Sequence, residues 1–160
     1  MRNDELENIY HKLYRQLFLY AFSLTGNKED AEDLVANTFV KALLSFEDGN
    51  IKAWLYQVLK NEFYNMYKKR KKIVDNFDFN RIEDNYNLLD SIIKDEEKRW
   101  LYAKIYSLKR IEKEVLLLSI QSDLDDNMIG KIMNISIENV RVIKHRAKKK
   151  LIELYKEESI

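Results

Sequence analysis

The sequence predicts an all-α protein built from two small helical modules joined by a linker. Three observations carry this reading. The 160 residues contain no proline and only three glycines, which favours long helices over a sheet protein with many tight turns. Apolar residues recur at three- and four-residue spacing in two separate regions. Between those regions, from Asp75 to about Asp90, the periodicity dissolves into Asp, Asn, Tyr and Phe.

Each element can be justified in order. Leu6, Ile9, Leu13, Leu17, Tyr20 and Leu24 form the apolar stripe of a first helix that ends near Gly26. Asn27 is placed to cap the second helix, and Glu29, Asp30, Glu32 and Asp33 suit its positive N-terminal end. That helix should bury Ala31, Leu34, Val35, Thr38, Phe39, Ala42, Leu43 and Phe46 along one face before "FEDGN" breaks it. A third helix should bury Ile51, Trp54, Leu55, Val58, Leu59, Phe63 and Met66, then run on into "KKRKK", where no apolar stripe remains. Residues 1–74 are therefore expected to form one module of three to four helices. Residues 75–92 are expected to be a mobile linker, with Phe77 and Phe79 as its docking residues. Residues 93–160 are expected to form the second module. Periodicity returns there at Ile92–Ser107, then at Ile111–Ile120, from about Asp125 to Met133, and in a final basic helix.

The composition narrows the function. An apolar fraction of 46% is enough for packed cores. The absence of cysteine excludes disulfides, thiolate zinc sites and thiol redox sensing. No stretch resembles a signal peptide, and "VLLLSI" is far too short to span a bilayer. A soluble intracellular protein without direct membrane binding is expected. No glycine-rich phosphate loop, metal cluster or nucleophile with a histidine base is visible, so neither an enzyme nor a cofactor or metal site is expected.

The net charge of +1 hides strong segregation. Met1–Asp48 holds five basic and nine acidic residues, and Asp75–Arg99 holds four basic and eight acidic ones. Lys60–Lys72 holds six basic residues and one acid, and Arg141–Lys150 holds six basic residues and none. Two basic blocks far apart in sequence point to a polyanion touched at two places.

The second block belongs to a recognisable corner. Gly130 lies inside a helix, where glycine costs roughly 1 kcal/mol relative to alanine, which makes sense if another backbone passes close by. Asn134 suits a left-handed residue and Ser136 suits the cap of the following helix. Ile132, Ile135, Val140, Ile143 and Ala147 can then share a core. This is a helix-turn-helix whose second helix can enter a major groove. Glu138, Arg141, His145 and Lys148 share its outward face, flanked by Asn139 and Val142. Arg141 and Asn139 have the donors to read base edges, and Lys148–Lys150 suit phosphates. With His11 as the only other histidine, His145 is not read as a metal ligand.

The segments "NKEDAEDLVANTFVKAL", "IKAWLYQVLKNEFYNMYKKRKK" and "EKEVLLLSIQSDLDDNMIGKIMNISIENVRVIKHRAKKKL" together resemble the bacterial RNA polymerase sigma factors of the sigma-70 family. The small two-domain extracytoplasmic-function (ECF) group is the nearest in pattern. Leu6–Lys72 resembles sigma domain two and Arg99–Leu154 resembles sigma domain four, with only a linker between. The resemblance implies that Asp33, Leu34, Asn37 and Phe39 grip the clamp helices of the polymerase largest subunit. It implies that Asp48, Gly49 and Asn50, with Lys52 nearby, capture an unstacked base of the minus-ten promoter element. Lys60, Asn61, Tyr64, Asn65 and Lys68 would line the same DNA, since single strands need aromatic platforms, amides and lysines. Ser136, Glu138, Asn139, Arg141, Val142, His145, Lys148 and Lys149 would face the minus-thirty-five element. The implied partners are core RNA polymerase, including the flap of its second-largest subunit, promoter DNA, and the anti-sigma factor common in this family and often membrane-bound. The implied location is the cytoplasm, with the nucleoid.

The chain departs from the family pattern at four places. Ala36-Asn37 stands where Gln-Glu is usual, Leu108-Lys109 where Leu-Pro is usual, Asn134 where the turn glycine is usual, and Ile143-Lys144 where Arg then Leu is common. Two other functions stay open on the sequence. One is a conventional dimeric helix-turn-helix regulator. The other is a degenerate sigma homologue that acts as an interaction protein.

Overall fold

The computed structural model describes residues 3–70 and 88–158, and all regular structure among them is helical. The chain divides into two compact units, Met1–Phe77 and Asp78–Ile160. The expected docking residues Phe77 and Phe79 lie outside the described residues.

The first unit is built from α1 (Asn3–Thr25), α2 (Lys28–Ser45) and α3 (Ile51–Arg70). Leu6, Leu13, Leu17, Tyr20 and Leu24 of α1 are buried, as their spacing requires, and Ile9 is only partly so. From Leu17 to Thr25 burial extends around the whole helix, which packs against both α2 and α3. Tyr20 meets Tyr56 of α3 edge to face, with ring centroids 5.3 Å apart. Asn27 caps α2 by accepting from the Asp30 N–H at 3.0 Å. Asn50 does the same for α3, accepting from the Ala53 N–H at 3.1 Å.

Two packing expectations change. Leu43 is exposed rather than buried, because it lies beyond the stripe of Leu34, Val35, Thr38, Phe39 and Ala42 that faces the core. On α3, Leu55, Leu59 and Phe63 are buried, but Ile51, Trp54, Val58 and Met66 are only partly so. The buried stripe instead runs Tyr56, Leu59, Lys60 and Phe63, at the three- and four-residue spacing of one helix face.

The second unit contains a short helix α4 (residues 88–92), α5 (Glu96–Tyr106), α6 (Arg110–Gln121), α7 (Asp126–Met133) and α8 (Ile137–Glu158). Helix α4 falls within the stretch expected to be linker. Leu89 is completely buried and Arg99 pairs with Asp90 at 3.2 Å, so this segment is structured. Asp95 caps α5 by accepting from the Glu97 N–H, and Asp125 caps α7 by accepting from the Met128 N–H. The core is centred on α6, where Val115, Leu116, Leu117 and Leu118 are all buried, and α7 and α8 pack against it. No helix among the described residues is long and apolar enough to cross a membrane.

Candidate nucleic-acid interface

The corner between α7 and α8 is closed by backbone chemistry. Asn134 adopts the left-handed conformation (φ 57°, ψ 48°), and the Ile135 N–H donates to the Gly130 carbonyl at 2.9 Å. Ser136 then accepts from the Asn139 N–H at 3.1 Å and starts α8. Ile132, Val140 and Ala147 are buried between the elements, while Ile135 and Ile143 are partly so. The result is a helix-turn-helix with α8 as its second helix.

Ser136 at the cap, and Glu138, Asn139, Arg141, Val142, His145, Lys148 and Lys149 on α8, are all exposed. The structure thus presents this group together on one helix. Lys150 differs from its neighbours. Its ammonium donates to Glu112 on α6 at 2.9 Å, so it is tied into the fold in a way that Lys148 and Lys149 are not shown to be. Lys144 is likewise held, donating to Asp126 at 2.6 Å.

In the first unit, Phe46 is buried and Glu47, Asp48, Gly49 and Asn50 after it form an exposed loop before α3. Gly49 has a φ of +98°, a conformation that side-chain-bearing residues rarely adopt, so the loop depends on glycine at that point. Asp48 and Asn50 are exposed and Lys52 is half-buried. Asn61, Tyr64, Asn65 and Lys68 follow along α3 at three- and four-residue spacing, all exposed. This sets amides, a tyrosine ring and a lysine on one face of the helix that the loop leads into.

Lys60 corrects the sequence reading. It is 4% exposed, not outward, because it stands on the same face as Tyr56, Leu59 and Phe63. Its ammonium lies 5.7 Å from the centre of the Tyr64 ring, a distance suited to attraction between the cation and the ring face. Lys60 therefore bears on this face through Tyr64.

The α2 surface also changes. Asp33 and Asn37 are exposed, but Leu34 is 2% exposed and Phe39 is buried against Tyr10, with ring centroids 4.8 Å apart. Sequence reasoning missed the apolar residues that do reach solvent, Val40, Leu43 and Leu44, the last 77% exposed. A shallow apolar groove runs beside them between α1 and α2, lined by Leu6, Tyr10, Phe39, Val40 and Leu43.

Two helical units, one bearing a helix-turn-helix with a basic second helix, define a protein of the helical DNA-binding class. Comparison with known proteins narrows the class. Residues 9–73 match the Sigma-70 region 2 family. The chain is 30% identical to RNA polymerase sigma factor YlaC of Bacillus subtilis, over 92% of this chain and 90% of that protein. It is 29% identical to ECF RNA polymerase sigma factor SigM of the same organism, over 94% of each. Its fold is similar to that of the sigma factor RpoE in complex with the anti-sigma factor NepR from Bartonella quintana, with a TM-score of 0.61, 24% identity, and 94% and 98% of the two chains covered. This chain belongs to the sigma-70 family of RNA polymerase sigma factors, in its ECF group.

Proposed function

We propose that the chain is a promoter-recognition subunit, which binds core RNA polymerase and directs it to start transcription at selected promoters. One observation carries this beyond family membership. Two exposed faces suited to nucleic acid, on α3 and on α8, lie in separate compact units of a single chain.

Asp48, Asn50, Lys52, Asn61, Tyr64, Asn65 and Lys68 would take the unstacked bases and backbone of the minus-ten element, with Lys60 supporting Tyr64. Ser136, Glu138, Asn139, Arg141, Val142, His145, Lys148 and Lys149 would face the duplex of the minus-thirty-five element. Asp33, Asn37 and the apolar Val40, Leu43 and Leu44 would meet the polymerase clamp helices, with Leu34 and Phe39 shaping α2 from within. The second unit would engage the flap of the second-largest subunit. Catalysis belongs to the polymerase, and the protein works in the cytoplasm at the nucleoid. An anti-sigma factor is a further proposed partner, since a relative of the same fold has been solved with one.

The test is a pull-down of purified bacterial core polymerase followed by run-off transcription from a pooled genomic library. Stoichiometric binding with a few discrete start sites is expected. Binding without initiation would mean a sequestering homologue. Tight specific binding to duplex DNA by the chain alone, without polymerase binding, would mean a conventional regulator.

A further inference from the structure

Asp126 opens α7, and its side chain is only 23% exposed. Its carboxylate receives two cations from α8 at once. Lys144 Nζ donates to Oδ1 at 2.6 Å, and Arg141 Nε lies 3.5 Å from Oδ2. The two cations are not equivalent. Lys144 is 24% exposed and packed into the corner, whereas Arg141 is 67% exposed and stands on the outward face. Lys144 thus fixes the carboxylate, and the carboxylate in turn holds Arg141. The Lys144 hydrogen bond first, and Arg141 after it, keep the Asp126 carboxyl below its ordinary value despite some burial, so it carries its charge at neutral pH.

The point of attachment matters. The guanidinium nitrogen that pairs with Asp126 is the inner one, Nε, rather than either of the two terminal nitrogens. Those two nitrogens form the planar fork that donates to O6 and N7 of guanine together.

We propose that Asp126 is a positioning residue for base reading, holding Arg141 at Nε so that its terminal nitrogens select guanine at one step of the upstream promoter element. This rests on α8 being the duplex-reading helix. An arginine without the tether samples more rotamers, and its fork meets other bases and phosphates as readily as guanine.

The test uses full-length chain assembled with core polymerase, transcribing a promoter library randomised across the upstream element. Wild type should prefer guanine at one position by about tenfold, and Arg141→Ala should abolish that preference. Asp126→Ala should reduce it roughly three- to tenfold at that position alone, and adding it to Arg141→Ala should change nothing further. Asp126→Asn keeps an acceptor oxygen without the charge and should fall between. If Arg141→Ala abolishes the preference and both Asp126 variants keep it, the positioning role is wrong and the reading helix stands. An even loss at all positions in the Asp126 variants would reduce Asp126 to a structural residue. If Arg141→Ala alters no position, the base-reading assignment itself fails and the proposal falls with it.

Discussion

The carbonyl oxygen of Ile135 lies 2.8 Å from where a Cβ on residue 130 would stand. Backbone, not a flexible side chain, fills that space, so Gly130→Ala must push the α7–α8 corner apart. Overpacking of this kind costs about 1–3 kcal/mol, offset by the roughly 1 kcal/mol that alanine gains in a helix. A net loss of about 1 kcal/mol is expected in urea unfolding, and a larger one for Gly130→Val. A stabilised Gly130→Ala protein would contradict the close approach.

Lys149 and Lys150 are adjacent but should answer differently. Removing Lys150 leaves Glu112 buried without that partner, at a cost on the order of 1–3 kcal/mol, with little change in the salt dependence of DNA binding. Lys149→Ala should leave stability within about 0.5 kcal/mol and lower the salt slope of DNA binding by about one unit. Thermal unfolding and a salt titration of promoter binding separate the two; identical behaviour would refute the division.

Lys113 gives a stability signature in alkali. Burial pushes its ammonium down from 10.5 to about 8, with Arg110 adding to the effect and Glu114 opposing it. Below pH 8 both folded and unfolded states hold the proton, and the burial cost is fully present. Between pH 8 and 10.5 the unfolded state binds more protons, so stability rises with pH, by about 3 kcal/mol at most. Burial raises Tyr102 and Tyr106, whose ionisation when unfolded pulls stability down above pH 10. The difference between wild type and Lys113→Met isolates the lysine. Denaturant midpoints should converge as pH rises from 8, and parallel curves would show that Lys113 is not the source.

Leu34 and Leu44 lie on one helix and separate folding from binding. Leu34→Ala should lose about 2–5 kcal/mol, since the side chain is in the core. Leu44→Asp should unfold within about 0.5 kcal/mol of wild type yet bind core polymerase poorly. A Leu44→Asp protein that assembles normally would remove this surface from the polymerase contact.

What the sequence reveals depends on how far each cause reaches along the chain. The Asn27 cap, the left-handed Asn134, the Ser136 cap and the crowding at Gly130 are all legible, because each arises from residues within about six positions. The inward turn of Lys60 is not, because it depends on how other helices cover α3. Leu34 and Phe39 mislead for a related reason. A family resemblance marks a helix that binds, but only packing shows which of its faces is left outside. Lys144 stands where the family usually has an apolar residue, and its reason is Asp126, eighteen residues away in sequence.

Arg70, in the last turn of α3, reaches back to Asp30 in the first turn of α2 at 2.7 Å. This bond fastens the end of the helix that carries Lys68 and Lys69. Motion of that end is removed when the protein folds, so less ordering remains to oppose binding when a strand arrives. The first unit gives up Arg70 from its basic block and in return secures the helix end that carries Lys68 and Lys69.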